Sequence, residues 1–198
     1  TGMRFGCCIN MVASELDGIG TEHLSELEHM GYDYVEMPLA EMMRLDGPNF
    51  LELKRRVDRL TIGCEVCNNF FPKHMRLTGQ EVRMDLVLSY AERALTRAKD
   101  LGATCVVFGS GSAKNVPKGT SLEKGYQQIV DLLNQIASLA ANRDIIICIE
   151  PLRKQECNLI NTFEEGGRLA DELRHPNIKV LADYFHMMAE AEPMSHLS

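Results

Sequence analysis

The chain has 198 residues, 45% of them hydrophobic and 25% charged, with a formal net charge of -7. That is enough apolar material for one domain with an ordinary core, while the negative balance makes a nucleic-acid backbone a poor partner, although a local basic patch can still hold one phosphate. No run approaches the roughly 20 apolar residues that cross a bilayer, and no basic leader precedes a long apolar stretch, so a cytoplasmic protein with no membrane partner is expected.

Thr1 and Gly2 precede a methionine and read as a cloning or processing scar. The first strand is expected at residues 3–9 and the first helix at 21–30, where Leu24, Leu27 and Met30 share a face and Gly31 ends it. A second strand at 34–37 is expected to stop at Pro38, which has no ladder amide. A helix over 49–60, a strand over 61–66, a loop through Asn68-Asn69-Phe70-Phe71-Pro72 and a helix over 80–101 closed by Gly102 follow. The remaining order is a strand at 104–108, a helix at 122–141, a strand at 145–149, a helix at 163–173 and a strand at 178–182.

Six strands alternate with helices and no hairpin signal separates them, which predicts an α/β fold. Nearly continuous apolar residues in the strands at 105–108 and 145–149 predict a parallel sheet covered on both faces. An open doubly wound sheet is one solution and a (β/α)8 TIM barrel the other. The barrel is favoured because Glu36, Glu65, Glu150 and Asp183 each sit at or near a strand end, where a barrel brings residues to one rim. A complete barrel takes about 250 residues, so the expectation is a single barrel domain over residues 1–198 with about six βα units, its last two missing.

The seven cysteines lie mostly in apolar, strand-like runs and read as small buried hydrophobes. Cys64 and Cys67 have redox or zinc spacing, but no second pair follows them. Arg55, Arg56 and Arg59 read as a solvated helix face, and the eleven methionines as apolar filler.

Two segments carry the chemistry. In Ile149-Glu150-Pro151-Leu152-Arg153-Lys154-Gln155-Glu156, a carboxylate leaves a buried strand and Pro151 holds it at the rim; burying it with no partner would be costly. In Ala182-Asp183-Tyr184-Phe185-His186, carboxylate and imidazole share one short turn and suit a divalent ion such as Mn, Co, Mg or Zn. Plainer readings stand beside these: Glu150 paired with Arg153 or Lys154, Asp183 a helix cap, His186 a hydrogen-bonded rim histidine, Glu156 a solvated loop residue. Gly109-Ser110-Gly111-Ser112 lacks the nucleotide-loop spacing and reads as a tight rim turn, with phosphate contact aided by Lys114 as the alternative.

The segments IEPLRKQE at 149–156 and LADYFHM at 181–187 resemble the xylose-isomerase-like TIM barrel superfamily, in its sugar phosphate isomerase/epimerase branch with ketose 3-epimerases and hydroxypyruvate isomerase. GYDYVEMPL at 31–39, NNFFP at 68–72 and FGSGSAKNVPKG at 108–119 resemble the same branch. The resemblance implies that Glu150 and Asp183 bind a divalent metal ion and that Glu150 also exchanges a substrate proton. It implies that Glu156 and His186 bind substrate, His186 also acting in catalysis, with Glu36 a further substrate contact. The family's remaining ligands, a histidine and a glutamate from the seventh and eighth strands, have no counterpart here, and His196 comes too early to be that histidine.

The implied reaction is metal-dependent isomerisation or epimerisation of a sugar or sugar phosphate through an enediolate, by a homo-oligomer. Dehydration of an inosose-like polyol and non-catalytic sugar binding are the alternatives. Abasic-site endonucleases share the superfamily, but no histidine follows the fourth strand, and His23, His29 and His74 fall on helices or a loop.

Overall fold

The computed structural model describes residues 2–197; Ser198 and Thr1, half of the expected scar, lie outside the described residues. Its strands are β1 (Gly6–Cys8), β2 (Tyr34–Pro38), β3 (Gly63–Asn68), β4 (Cys105–Phe108), β5 (Ile146–Ile149) and β6 (Ile178–Val180). They form one sheet in sequential order, and every adjacent pair is parallel. Sequential order removes the doubly wound alternative, whose strand order must reverse at a switch point. The fold is a partial TIM barrel with β1 and β6 as its edges among the described residues.

Helices α1 (Leu24–His29), α2 (Leu39–Met42), α3 (Gly47–Asp58), α4 (Met84–Asp100), α5 (Gly111–Lys114), α6 (Leu122–Ala141), α7 (Phe163–Leu173) and α8 (Tyr184–Ala189) fill the connections. Side chains alternate along each strand, and Val35, Met37, Val106, Phe108, Ile147 and Ile149 are buried in the core with the helices. α4 contributes Val87, Ala91, Ala94, Leu95 and Ala98 to that core, and α6 contributes Ile129, Leu132, Leu133, Ile136 and Ala140. The intervening residues Glu36, Cys105, Cys148 and Glu150 lie on the other face and are only partly covered.

Local signals set the helix ends. Ser121 caps α6 by accepting from the Lys124 amide at 3.2 Å, and Thr162 with Glu165 forms a capping box on α7. Gly102 has φ of 95°, and the amides of Gly102 and Ala103 donate to Lys99 and Ala98 carbonyls, which closes α4.

Several expectations about the elements need correction: β1 is Gly6–Cys8 rather than 3–9, β3 is Gly63–Asn68 rather than 61–66, and β6 is Ile178–Val180 rather than 178–182. α4 begins at Met84 rather than near residue 80. β2 includes Pro38, which registers with Asn68, so the missing amide does not stop the strand. Glu65 is not a rim residue: Val35 pairs with Cys64 and Glu36 with Val66, leaving Glu65 in a bulge, and its carboxylate pairs with Arg4 at 2.5 Å. The inserted residue breaks the alternation that the sequence reading assumed.

Cys64 and Cys67 are buried in the core with their sulfurs 3.9 Å apart, in keeping with a packing role. Arg55 pairs with Glu52, and Arg56 donates to the Thr21 carbonyl at 2.8 Å.

Candidate active site

Glu150 follows β5 directly. Its amide donates to the Phe108 carbonyl at 3.1 Å, continuing the ladder, and Pro151 then ends it. The carboxylate lies over Gly109: a Cβ there would collide with Glu150 Oε2, so a bare backbone makes room for this side chain. Neither nearby cation pairs with Glu150, because Arg153 Nε binds Glu156 Oε1 at 2.8 Å and Lys154 Nζ binds Glu190 Oε2 at 3.3 Å. Burial pushes the Glu150 carboxyl up to about 7; Asp183 and Glu36 push the same way by like-charge repulsion, and Lys114 opposes them.

Asp183 lies three residues beyond β6, at the start of α8. Its Oδ1 accepts from the amides of Phe185 at 2.7 Å and His186 at 3.3 Å, so it caps α8 as the plainer reading expected. The cap occupies one oxygen, and the other, Oδ2, lies 4.0 Å from His186 Nε2. One donor atom each from Glu150, Asp183 and His186 falls within 4.8 Å of the others. Two hard carboxylates at that separation fit a divalent ion, with the imidazole beside them.

His186 is buried on α8, and its Nδ1 faces the backbone amide of Arg153 at 3.3 Å. An amide can only donate, so Nδ1 accepts and the proton of the neutral ring resides on Nε2. The nitrogen beside Asp183 is therefore a donor, which suits a substrate oxygen better than a metal.

Glu36 and Glu156 stand outside that three-residue group. The Glu36 carboxyl is raised by burial and by Asp183, while hydrogen bonds from Asn68 and Cys8 offset part of the rise. Asp183 acts on Glu36 and Glu36 acts on Glu150, which places Glu36 on the same interior as the group. Glu156 is held by Arg153, whose guanidinium lies 4.7 Å from the Phe185 ring centre on α8. Gly111 backs onto the Glu156 carbonyl.

Sequence reasoning missed the polar network beside Glu36. Asn68 Nδ2 donates to Asn10 Oδ1 at 3.0 Å and lies 2.9 Å from Cys8 Sγ, and Asn68 Oδ1 is buried without a partner. The sequence reading ends the third strand at residue 66 and puts Asn68 in the loop after it, whereas β3 extends through Asn68. Lys114 is fully buried rather than open to a rim phosphate, which removes the expected aid to phosphate contact. Ser110 adopts φ of 44° and its hydroxyl accepts from the Phe71 amide at 3.2 Å, as a tight turn requires. His196 binds Glu192 Oε1 at 2.8 Å and is not a member of the group.

Parallel βα units in sequential order define a partial (β/α)-barrel, with acidic groups converging just past β5 and β6. The family model described as "Xylose isomerase-like TIM barrel" matches residues 24–196, and the chain belongs to that family. A ketose 3-epimerase from Arthrobacter globiformis is 29% identical over 97% of this chain and 66% of its own length. A D-psicose 3-epimerase from Ruminiclostridium cellulolyticum is 33% identical over 34% of this chain and 23% of its own length.

A crystal structure of D-psicose 3-epimerase in the presence of D-fructose superposes with a TM-score of 0.83 at 19% identity, covering 96% of this chain and 67% of that one. The IOLI protein with a bound zinc atom gives 0.72 at 20% identity, covering 98% and 68%. The relatives are sugar epimerases, and the chain spans about two thirds of the length of the ketose 3-epimerase.

Proposed function

We propose that this chain carries part of a divalent-metal-dependent ketose epimerase or isomerase site, working by proton transfer at the carbon next to the carbonyl. The observation that carries the proposal is the convergence of Glu150, Asp183 and His186 at two adjacent strand exits. The ketose 3-epimerase relatives supply the substrate class.

Glu150 and Asp183 would hold the ion, Asp183 through the oxygen that its cap leaves free. The ion when bound supplies Lewis-acid polarisation of the ketose carbonyl. Glu150 is the proton carrier: in the metal-free chain, burial and the neighbouring Asp183 and Glu36 carboxylates raise its affinity for a proton, the direction that a general base at carbon needs. Return to the same carbon from the other face epimerises; return to the neighbouring carbon isomerises.

His186 donates from Nε2 to the oxygen that gains charge in the enediolate, and the Arg153 amide holds the ring in that tautomer. Glu156 and Glu36 accept from sugar hydroxyls at the edges of the site. Sugars with and without phosphate both belong in the test, since Lys114 is not at the rim.

The experiment is NMR-detected exchange of the proton next to the carbonyl in deuterated water. It uses full-length protein with added manganese and a panel of free and phosphorylated ketoses. Metal-dependent exchange that Glu150→Gln abolishes is the expected result. No exchange on any ketose, with manganese shown to bind, would overturn the reading and leave dehydration or sugar binding.

A further inference from the structure

Lys114 ends α5 and is completely buried, yet its Nζ has no hydrogen-bond partner in the structure. An unpaired ammonium out of water is expensive, so its surroundings must offset the cost. One neighbour is the Phe108 ring, whose centre lies 5.5 Å from Nζ, within cation-π range. Phe108 ends β4, accepts the Glu150 amide, and precedes the glycine on which the Glu150 carboxylate rests.

Lys114 and Glu150 sense each other. Burial pushes the amine down, with Cys157 and then Glu150 opposing, and Lys114 in turn lowers Glu150. Among the described residues no carboxylate outside the site forms an ion pair with this amine, whereas Glu36, Glu150 and Asp183 crowd three acidic groups together and repel one another.

We infer that Lys114 is the internal counter-cation of Glu150: it offsets the negative charge that Glu36 and Asp183 crowd against that carboxylate while no ion is bound, and it weakens the hold on a divalent ion. The first half needs no metal; the second rests on the metal-site reading above. Its sign follows from charge balance. A divalent ion adds one net positive charge if Glu150 releases a proton and two if Glu150 is already ionised. Either way a fixed cation nearby opposes binding, and removing it tightens binding.

Two measurements on the full-length chain test this. In the first, thermal unfolding of metal-free wild type, Lys114→Met, Glu150→Gln and the double variant closes a cycle. The loss of Tm from Lys114→Met should be smaller in the Glu150→Gln background, by roughly 3 °C. In the second, manganese titration should show Lys114→Met binding about tenfold tighter than wild type, with Lys114→Arg close to wild type. Lys114→Gln replaces Lys114→Met in both arms if the latter does not fold.

A merely structural lysine would give an additive cycle and unchanged manganese affinity, and that pair of results overturns the inference. A coupled cycle in a wild type that binds no manganese would uphold the counter-cation and overturn the metal reading instead. An additive cycle with normal manganese binding would do the reverse.

Discussion

The Arg153 amide points at Nδ1 of His186 from 3.3 Å, so the loop after β5 sets the protonation of a ring on α8. With Nδ1 accepting, Nε2 carries the hydrogen and acts as a donor. His186→Gln should therefore slow α-proton exchange by about 100-fold and leave manganese affinity within about threefold of wild type, the small change expected when a donor rather than a ligand is lost. Exchange kinetics and a manganese titration on the same samples measure both. A collapse of metal affinity would make His186 a ligand.

Asp183 has two separable jobs, one for each oxygen. Asn accepts from the α8 amides as well as Asp does, so Asp183→Asn should keep the cap and lose only the charge. Asp183→Ala loses both and should be less stable than Asp183→Asn by about 1 kcal/mol. Metal affinity should fall by at least about tenfold in both. Urea unfolding of the chelated variants gives the first quantity and manganese titration the second; equal stabilities would show that the cap contributes nothing.

Burial raises the Glu150 carboxyl from 4.5 to about 7 in the folded chain. Between those values the folded state binds more protons than the unfolded state, so stability falls as pH rises through that window. Glu150→Gln removes this dependence. In chelator, the variant should match wild type near pH 4 and exceed it at pH 8 by about 2–3 kcal/mol. Denaturant unfolding across that range checks it, and parallel curves for the two proteins would refute the shift.

β2, β4 and β5 were legible because each carries buried apolar residues, and α6 and α7 fall at the expected residues because Ser121 and Thr162 mark their starts. Glu65 was misread because a bulge in β3 leaves no trace in residue type: a carboxylate near the end of an apolar run looks the same whether it faces the rim or Arg4. Lys114 was misread for a related reason. A lysine in a glycine- and serine-rich turn is normally solvated, and its burial depends on residues from distant segments, among them Phe108 at the end of β4, Thr78 and Cys157.

At the site, residue type and chain position named Glu150, Asp183 and His186, because a carboxylate just past a buried strand and an imidazole one turn further on are local features. Tertiary structure determined which atoms are free to act. It places one Asp183 oxygen in the α8 cap, leaves Glu150 without a cationic hydrogen-bond partner, fixes the His186 tautomer through Arg153, and buries the Lys114 amine without a hydrogen-bond partner. Those relations depend on burial and on distances between segments far apart in the chain. Local pattern carries the chemical identity of a group, whereas its charge state and its partners belong to the packed assembly around it.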